Sequence, residues 1–273
     1  MSIGISEGGI GVIEGMIRFS LRIEFEVFMI VVNSATMRAL ALLICCATIQ
    51  GQTAADQAAI WKSRGLTAAS SGDIQGAVEN FEKACQIFPN DEDVCYLFAR
   101  ALFTLGYYRK AGAALEIAIK LASKKTREKT ERAMALNFVA LDQPEEAERH
   151  FLKAVRAHPN SDRQGADSRV DYGAFLTRQG RAQEAAPLLE RVLKDSPEPP
   201  RASAELGRAL LHLGRTAEAA VRLEKAVRLD PNSAEHRLLL GKAYLQLGRV
   251  AEGERELRLG QEGWLRKTMA PQR

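Results

Sequence analysis

Residues 206–218 read Leu-Gly-Arg-Ala-Leu-Leu-His-Leu-Gly-Arg-Thr-Ala-Glu, and residues 240–252 read Leu-Gly-Lys-Ala-Tyr-Leu-Gln-Leu-Gly-Arg-Val-Ala-Glu. The second copy starts 34 residues after the first. Self-similarity at such a period marks an array of small supersecondary units. Upstream, the place of Gly207 and Gly241 is taken by Gly65, Ala99, Ala135 and Gly173; the six positions are spaced by 34, 36, 38, 34 and 34 residues. A turn follows each, at Gly72-Asp73, Gly106-Tyr107, Asp142-Gln143-Pro144, Gly180-Arg181, Gly214-Arg215 and Gly248-Arg249. After the turn comes apolar spacing such as Ala77, Phe81, Ala84, or Ala147, Phe151, Ala154. Four units close on a proline, Pro89, Pro159, Pro197 or Pro231.

Steps of four and three place Ala77, Phe81 and Ala84 on one helical face. A glycine such as Gly72 permits the left-handed backbone that ends a helix, and a following proline cannot prolong the next one. A small residue at Gly65 or Gly207 lets two helices approach while a large residue opposite fills the gap. Each unit is therefore predicted to be an antiparallel helix hairpin, too small to bury its own apolar face and stable only when stacked. The expected fold is an all-α solenoid of six units, at about residues 58–91, 92–127, 128–165, 166–199, 200–233 and 234–263. Residues 264–273 are expected to form a cap and tail, with Trp264 and Leu265 folding back. The polar stretch 161–169 adds four residues to one junction, which reads as a longer loop or helix start and a break in the superhelix. Gly253 and Gly260, with the charges around them, read as a degenerate, polar end to the array.

The pattern resembles the tetratricopeptide repeat (TPR). Trp61, Gly65, Ala77, Phe81, Ala84 and Pro89 fit its signature, with Arg64 in place of a leucine. Leu206, Gly207, Ala219, Leu223, Ala226 and Pro231 fit another copy, and Leu240, Gly241 and Tyr244 the front of the last. The resemblance covers about residues 58–263. It implies a right-handed superhelix of helix pairs that binds other proteins, with the first helix of each unit lining the concave face. On that face the residue after each small one, with a residue one turn to either side, forms three rows. The resulting groove residues are Lys62, Tyr96, Arg100, Phe103, Arg132, Leu136, Arg208 and Lys242. The full rows hold five cations and no acid, which suits an extended peptide carrying carboxylates or phosphates. The carboxylate clamp of some TPR cochaperones is not expected, because Leu66 and Leu136 occupy its asparagine positions.

The chain has 273 residues and a net charge of +4, too mild an excess for an obligate nucleic-acid binder. Residues 1–57 differ in character from the array. Residues 25–49 are long enough to cross a bilayer, but Arg38 near the centre would cost about 2.5–3.5 kcal/mol. Alternatively Met37 is the start: Met37-Arg38, the apolar run 39–47 and the small residues Thr53-Ala54-Ala55 follow the plan of a secretory signal peptide cleaved after Ala55. Both readings place the array outside the cytoplasm, in the periplasm or envelope. They differ in whether it stays membrane-anchored.

Cys85 and Cys95 fall late in one second helix and early in the next first helix, so an oxidising compartment could bridge them. The alternative is two small apolar core residues. Cys45 and Cys46 lie inside the signal. His150, His158, His212 and His236 lack metal-ligand spacing, and His150 reads as exposed. No phosphate-cradling glycine loop or nucleophile elbow occurs, and no catalytic residue, cofactor or metal is expected. The chain reads as an interaction scaffold with a protein or peptide partner. The alternative is an accessory substrate-docking subunit of an envelope enzyme or of a secretion or assembly system.

Overall fold

A computed structural model describes residues 35–157, 167–195 and 199–269, with side chains from Thr53 to Arg266 within those spans. His158, Pro159, Pro197 and most of the polar stretch 161–169 lie outside the described residues. The described residues form twelve helices and no strand. They are α1 (Ala35–Ser70), α2 (Ile74–Ile87), α3 (Glu92–Thr104), α4 (Tyr108–Leu121), α5 (Arg127–Ala140) and α6 (Pro144–Ala157). The rest are α7 (Ser168–Arg178), α8 (Ala182–Asp195), α9 (Pro200–His212), α10 (Thr216–Leu229), α11 (Ala234–Gln246) and α12 (Val250–Met269).

The chain divides into two units, Met1–Gln57 and Ala58–Arg273. In the first, residues 35–57 are helical; the span 25–49 begins outside the described residues. No helix among the described residues is long and apolar enough to cross a membrane.

The second unit is a right-handed superhelical solenoid of antiparallel hairpins. Within each hairpin the turn is built the same way. The N–H of Asp73 donates to Ala68 O, Tyr107 to Leu102 O, Gln143 to Phe138 O, Arg181 to Leu176 O, Arg215 to Leu210 O and Arg249 to Tyr244 O. This six-to-one bond closes a Schellman motif, which needs a left-handed residue one position earlier. Gly214 supplies it at φ 72°, and in the third unit Asp142 does so at φ 55° without being glycine.

The small-against-large arrangement is present in each hairpin's interior. A Cβ built on Gly65 would lie 2.6 Å from the Phe81 ring, and one on Gly207 would lie 2.6 Å from Leu223. Ala99 and Ala135 are buried at the corresponding places, as are Leu115 and Phe151. From α2 onward consecutive helices pack on each other, and α3, α5, α7 and α9 each also touch the next odd-numbered helix. The odd-numbered helices thus form the inner layer.

Two expectations change here. The junction before α7 does not break the array. Phe151 of α6 stacks on Tyr172 of α7 and meets Phe175 of α7 at a tilt, with ring centres 5.8 and 5.3 Å apart. One apolar cluster runs from Ala135 to Tyr244, so the added residues leave the core continuous. At the C-terminal end Trp264 and Leu265 do not fold back. Instead α12 continues through both. Its glycines serve close packing: a Cβ on Gly253 would meet Leu245 at 2.8 Å and Gly241 O at 3.0 Å, and one on Gly260 would meet Leu238 at 2.9 Å.

Candidate functional site

The predicted groove residues all lie on the inner-layer helices, but their surroundings differ from the expected open row of cations. Lys62 stands 3.6 Å from both Asp91 and Asp93. Arg132 donates to the buried Asp171 at 2.8 Å, and Arg201 pairs with the same carboxylate from the other side. Arg208 pairs with Glu235 and lies 3.5 Å from Glu205. Of the five cations in the rows, only Arg100 and Lys242 make no ion pair among the described residues.

The acids sit just outside the rows, which is why the rows looked acid-free. Asp93, Lys129, Asp167, Arg201 and Glu235 occupy one equivalent position and alternate in sign. Lys129 donates to Asp93 at 2.8 Å across the boundary between units, holding the Asp93 carboxyl below the usual carboxylate range. Such bonds tie the first helix of one unit to that of the next.

The aromatic row members are half-buried and partly structural. Tyr96 packs against the cluster around Met134, with the cations of Lys129 and Arg100 4.8 and 5.9 Å from its ring centre. Phe103 packs near Leu102 and meets the Tyr108 ring at 5.2 Å, and Leu136 packs against the main cluster. In the fourth unit the row is closed: Val170, Ala174 and Thr177 are all buried, as is Ala204 in the fifth.

The inner face opens again near the C-terminal end. A cavity of about 430 Å³ is lined by Arg208, Leu211 and His212 of α9, by Ala234, Glu235, Leu238, Leu239 and Lys242 of α11, and by Trp264 of α12. Two predicted residues, Arg208 and Lys242, are brought together here. Lys62, Tyr96, Arg100, Phe103, Arg132 and Leu136 lie on the other inner helices. Sequence reasoning missed Trp264 as a wall because it placed a break after residue 263. The helical spacing of Gly253, Gly260 and Trp264 could have revealed it.

Glu205, one turn before Arg208 on α9, is 7% exposed, with Oε2 making no hydrogen bond. Desolvation raises its carboxyl above the usual range, opposed by the Arg208 charge. His236 is also buried, its Nδ1 without a partner, and burial lowers its ring below the usual histidine range. His150 is not exposed as expected: its Nδ1 lies 2.7 Å from the buried Glu131, and its ring stacks on Phe138 at 5.3 Å. No group of three or more His, Cys, Asp or Glu among the described residues could hold a metal ion.

Stacked helix hairpins with a concave inner layer define a helical-repeat solenoid. Tetratricopeptide repeat family models match residues 68–126, 176–223 and 210–262, and residues 132–186. The chain belongs to the tetratricopeptide repeat family. No curated protein matches it. Among solved structures, it is 21% identical to PilW, a type IV pilus biogenesis factor, with a TM-score of 0.64 over 79% of this chain and 96% of that one. The TPR protein TTC0263 of Thermus thermophilus is 21% identical, with a TM-score of 0.56 over 69% and 99%. The APC/C hetero-tetramer Cut9-Hcn1 is 16% identical, with a TM-score of 0.64 over 76% of this chain, which spans 40% of that chain's length.

Proposed function

We propose that this chain is a non-catalytic interaction scaffold that seats an extended peptide on its inner face, anchored in the cavity between α9, α11 and Trp264. The observation that carries this reading is the composition of that cavity. Leu211, Leu238, Leu239 and the Trp264 ring offer apolar surface, while Lys242 at the wall makes no ion pair among the described residues. Most other inner-face cations are already neutralised, so recognition rests on one apolar pocket with an adjacent charge. The matching ligand is a large apolar side chain beside a carboxylate. A buried aromatic or aliphatic anchor supplies most of the energy in such contacts.

The test is selection of peptides from a random displayed library on the full-length protein. Selected sequences should pair a large apolar residue with an acidic neighbour. Trp264→Ala and Lys242→Glu, both at exposed positions, should each weaken binding by about tenfold or more. Peptides that bind both variants as tightly as the parent would remove the cavity from the argument.

The same reading places the array outside the cytoplasm, supported by the basic start at Met37-Arg38, the apolar run 39–47 and the small residues before Asp56. N-terminal sequencing of the mature protein should give Asp56 as the first residue. A mature chain beginning at Met1 or Met37 would reject cleavage.

A further inference from the structure

The Sγ atoms of Cys85, near the end of α2, and Cys95, in the first turn of α3, lie 3.2 Å apart. Both are thiols. They are the only cysteines with described side chains, and they face each other across the boundary between the first two hairpins. Cys95 is fully buried, and Cys85 is half-buried against the small cluster of Ala58, Ala84 and Val94. Closing to a bond needs the sulfurs to approach to about 2 Å, a shift of the size that small χ1 rotations supply. The connecting turn carries Pro89, whose carbonyl lies 3.7 Å from the Cys95 sulfur. No side chain stands between the two thiols.

We propose that Cys85 and Cys95 form a reversible dithiol–disulfide clasp that locks the first helical hairpin onto the second. Their surroundings divide the work. The hydrogen bond shared with Cys95 lowers the Cys85 pKa, partly opposed by burial and by Asp91. The same bond, with burial, raises the Cys95 pKa well above the ordinary thiol range. Cys85 is also the more exposed of the two, half-buried where Cys95 is fully buried, so an external disulfide reaches it first and Cys85 is the attacking thiolate. It attacks one sulfur of an external disulfide, a small-molecule disulfide or an oxidised dithiol oxidoreductase. That bond breaks and one thiolate leaves. Cys95 then loses its proton to solvent and attacks the Cys85 sulfur of the mixed disulfide, expelling the second thiolate. The pair loses two electrons and two protons, and the external disulfide is reduced to two thiols.

A clasp at this place has a physical consequence. The first hairpin is a terminal unit of the repeat array, and a terminal unit opens more readily than an internal one. It also carries Lys62 of the inner face. Closing a loop of about ten residues disfavours the open form.

The full-length protein is incubated with oxidised glutathione, alkylated without reduction and digested with trypsin. Residues 84–100 form one tryptic peptide, separate from Cys45 and Cys46. That peptide should lose two hydrogens and take no alkyl group, and prior dithiothreitol should restore two alkylation sites. Cys95→Ser should trap glutathione on Cys85, while Cys85→Ser should leave Cys95 unmodified in the folded protein. Amide exchange in α2 should slow by about tenfold or more on oxidation. Two alkyl groups after oxidation, or glutathione that persists on Cys85 in the parent, would overturn the bridge. Trapping at Cys95 in the Cys85→Ser variant would overturn the order of attack, and unchanged exchange in α2 would overturn the clasp.

Discussion

Phe151→Ala is expected to cost about 4 kcal/mol and to split the unfolding of the array into two transitions. Phe151 is fully buried. It occupies the large-residue place of its unit, facing the small-residue helix of the same hairpin, and its ring packs against the Tyr172 and Phe175 rings of the next. Deleting it therefore opens a cavity inside one unit and strips the contact surface to its neighbour. In a solenoid, stability is close to a sum of unit and nearest-neighbour terms, so a weakened internal interface lets the two ends melt separately. Urea unfolding followed by circular dichroism measures this. A single transition displaced by less than about 1 kcal/mol would show that the third and fourth units do not pack through this ring.

Arg132→Glu should destabilise the protein by about 3 kcal/mol or more. On the inner face Arg132 looks like a cation waiting for a ligand, and removing it should then matter only for binding. The structure gives it a different role. Asp171 is 2% exposed and is held by Arg132 from the preceding unit and Arg201 from the following one. One buried carboxylate thus ties together α5, α7 and α9. Introducing an acid at 132 removes half of its neutralisation and places a like charge beside it, and burial makes both effects costly. Thermal denaturation of Arg132→Glu and of Arg132→Met separates the two contributions, with the methionine variant losing less. An unchanged melting midpoint for the glutamate variant would mean that Asp171 is neutralised by Arg201 alone.

The fold was legible because the TPR-like unit writes its geometry into residue type at fixed spacing. Gly207 is small because Leu223 needs its space, and Gly214 is glycine because the turn requires a left-handed residue. Both demands are local to one hairpin. The third unit shows that the code tolerates exceptions. Asp142 takes the left-handed turn position, and the register still survives because Ala135, Phe151 and the turn bonds remain in place. His150 was misread for the opposite reason. Its partners, Glu131 and Phe138, lie on the other helix of the hairpin, at a distance in sequence that no periodicity flags.

The candidate site was legible only in part. The helical period assigns which residues share one face of the first helices, and Lys62, Arg100, Arg132, Arg208 and Lys242 all lie on those helices. It does not say which of those charges are spent. That depends on the stagger between neighbouring units, which brings Asp93 to Lys129, Asp171 to Arg132 and Glu235 to Arg208 across unit boundaries. Trp264 likewise becomes a cavity wall only because Gly253 and Gly260 let α12 lie close along α11.

The sequence alone determined the hairpin unit, its repetition and which residues share a face of each helix, since these follow from backbone conformation and side-chain volume within some thirty residues. The tertiary structure decided where that face is open and which of its charges are free. Burial and ion pairing between units depend on distances that no single hairpin sets.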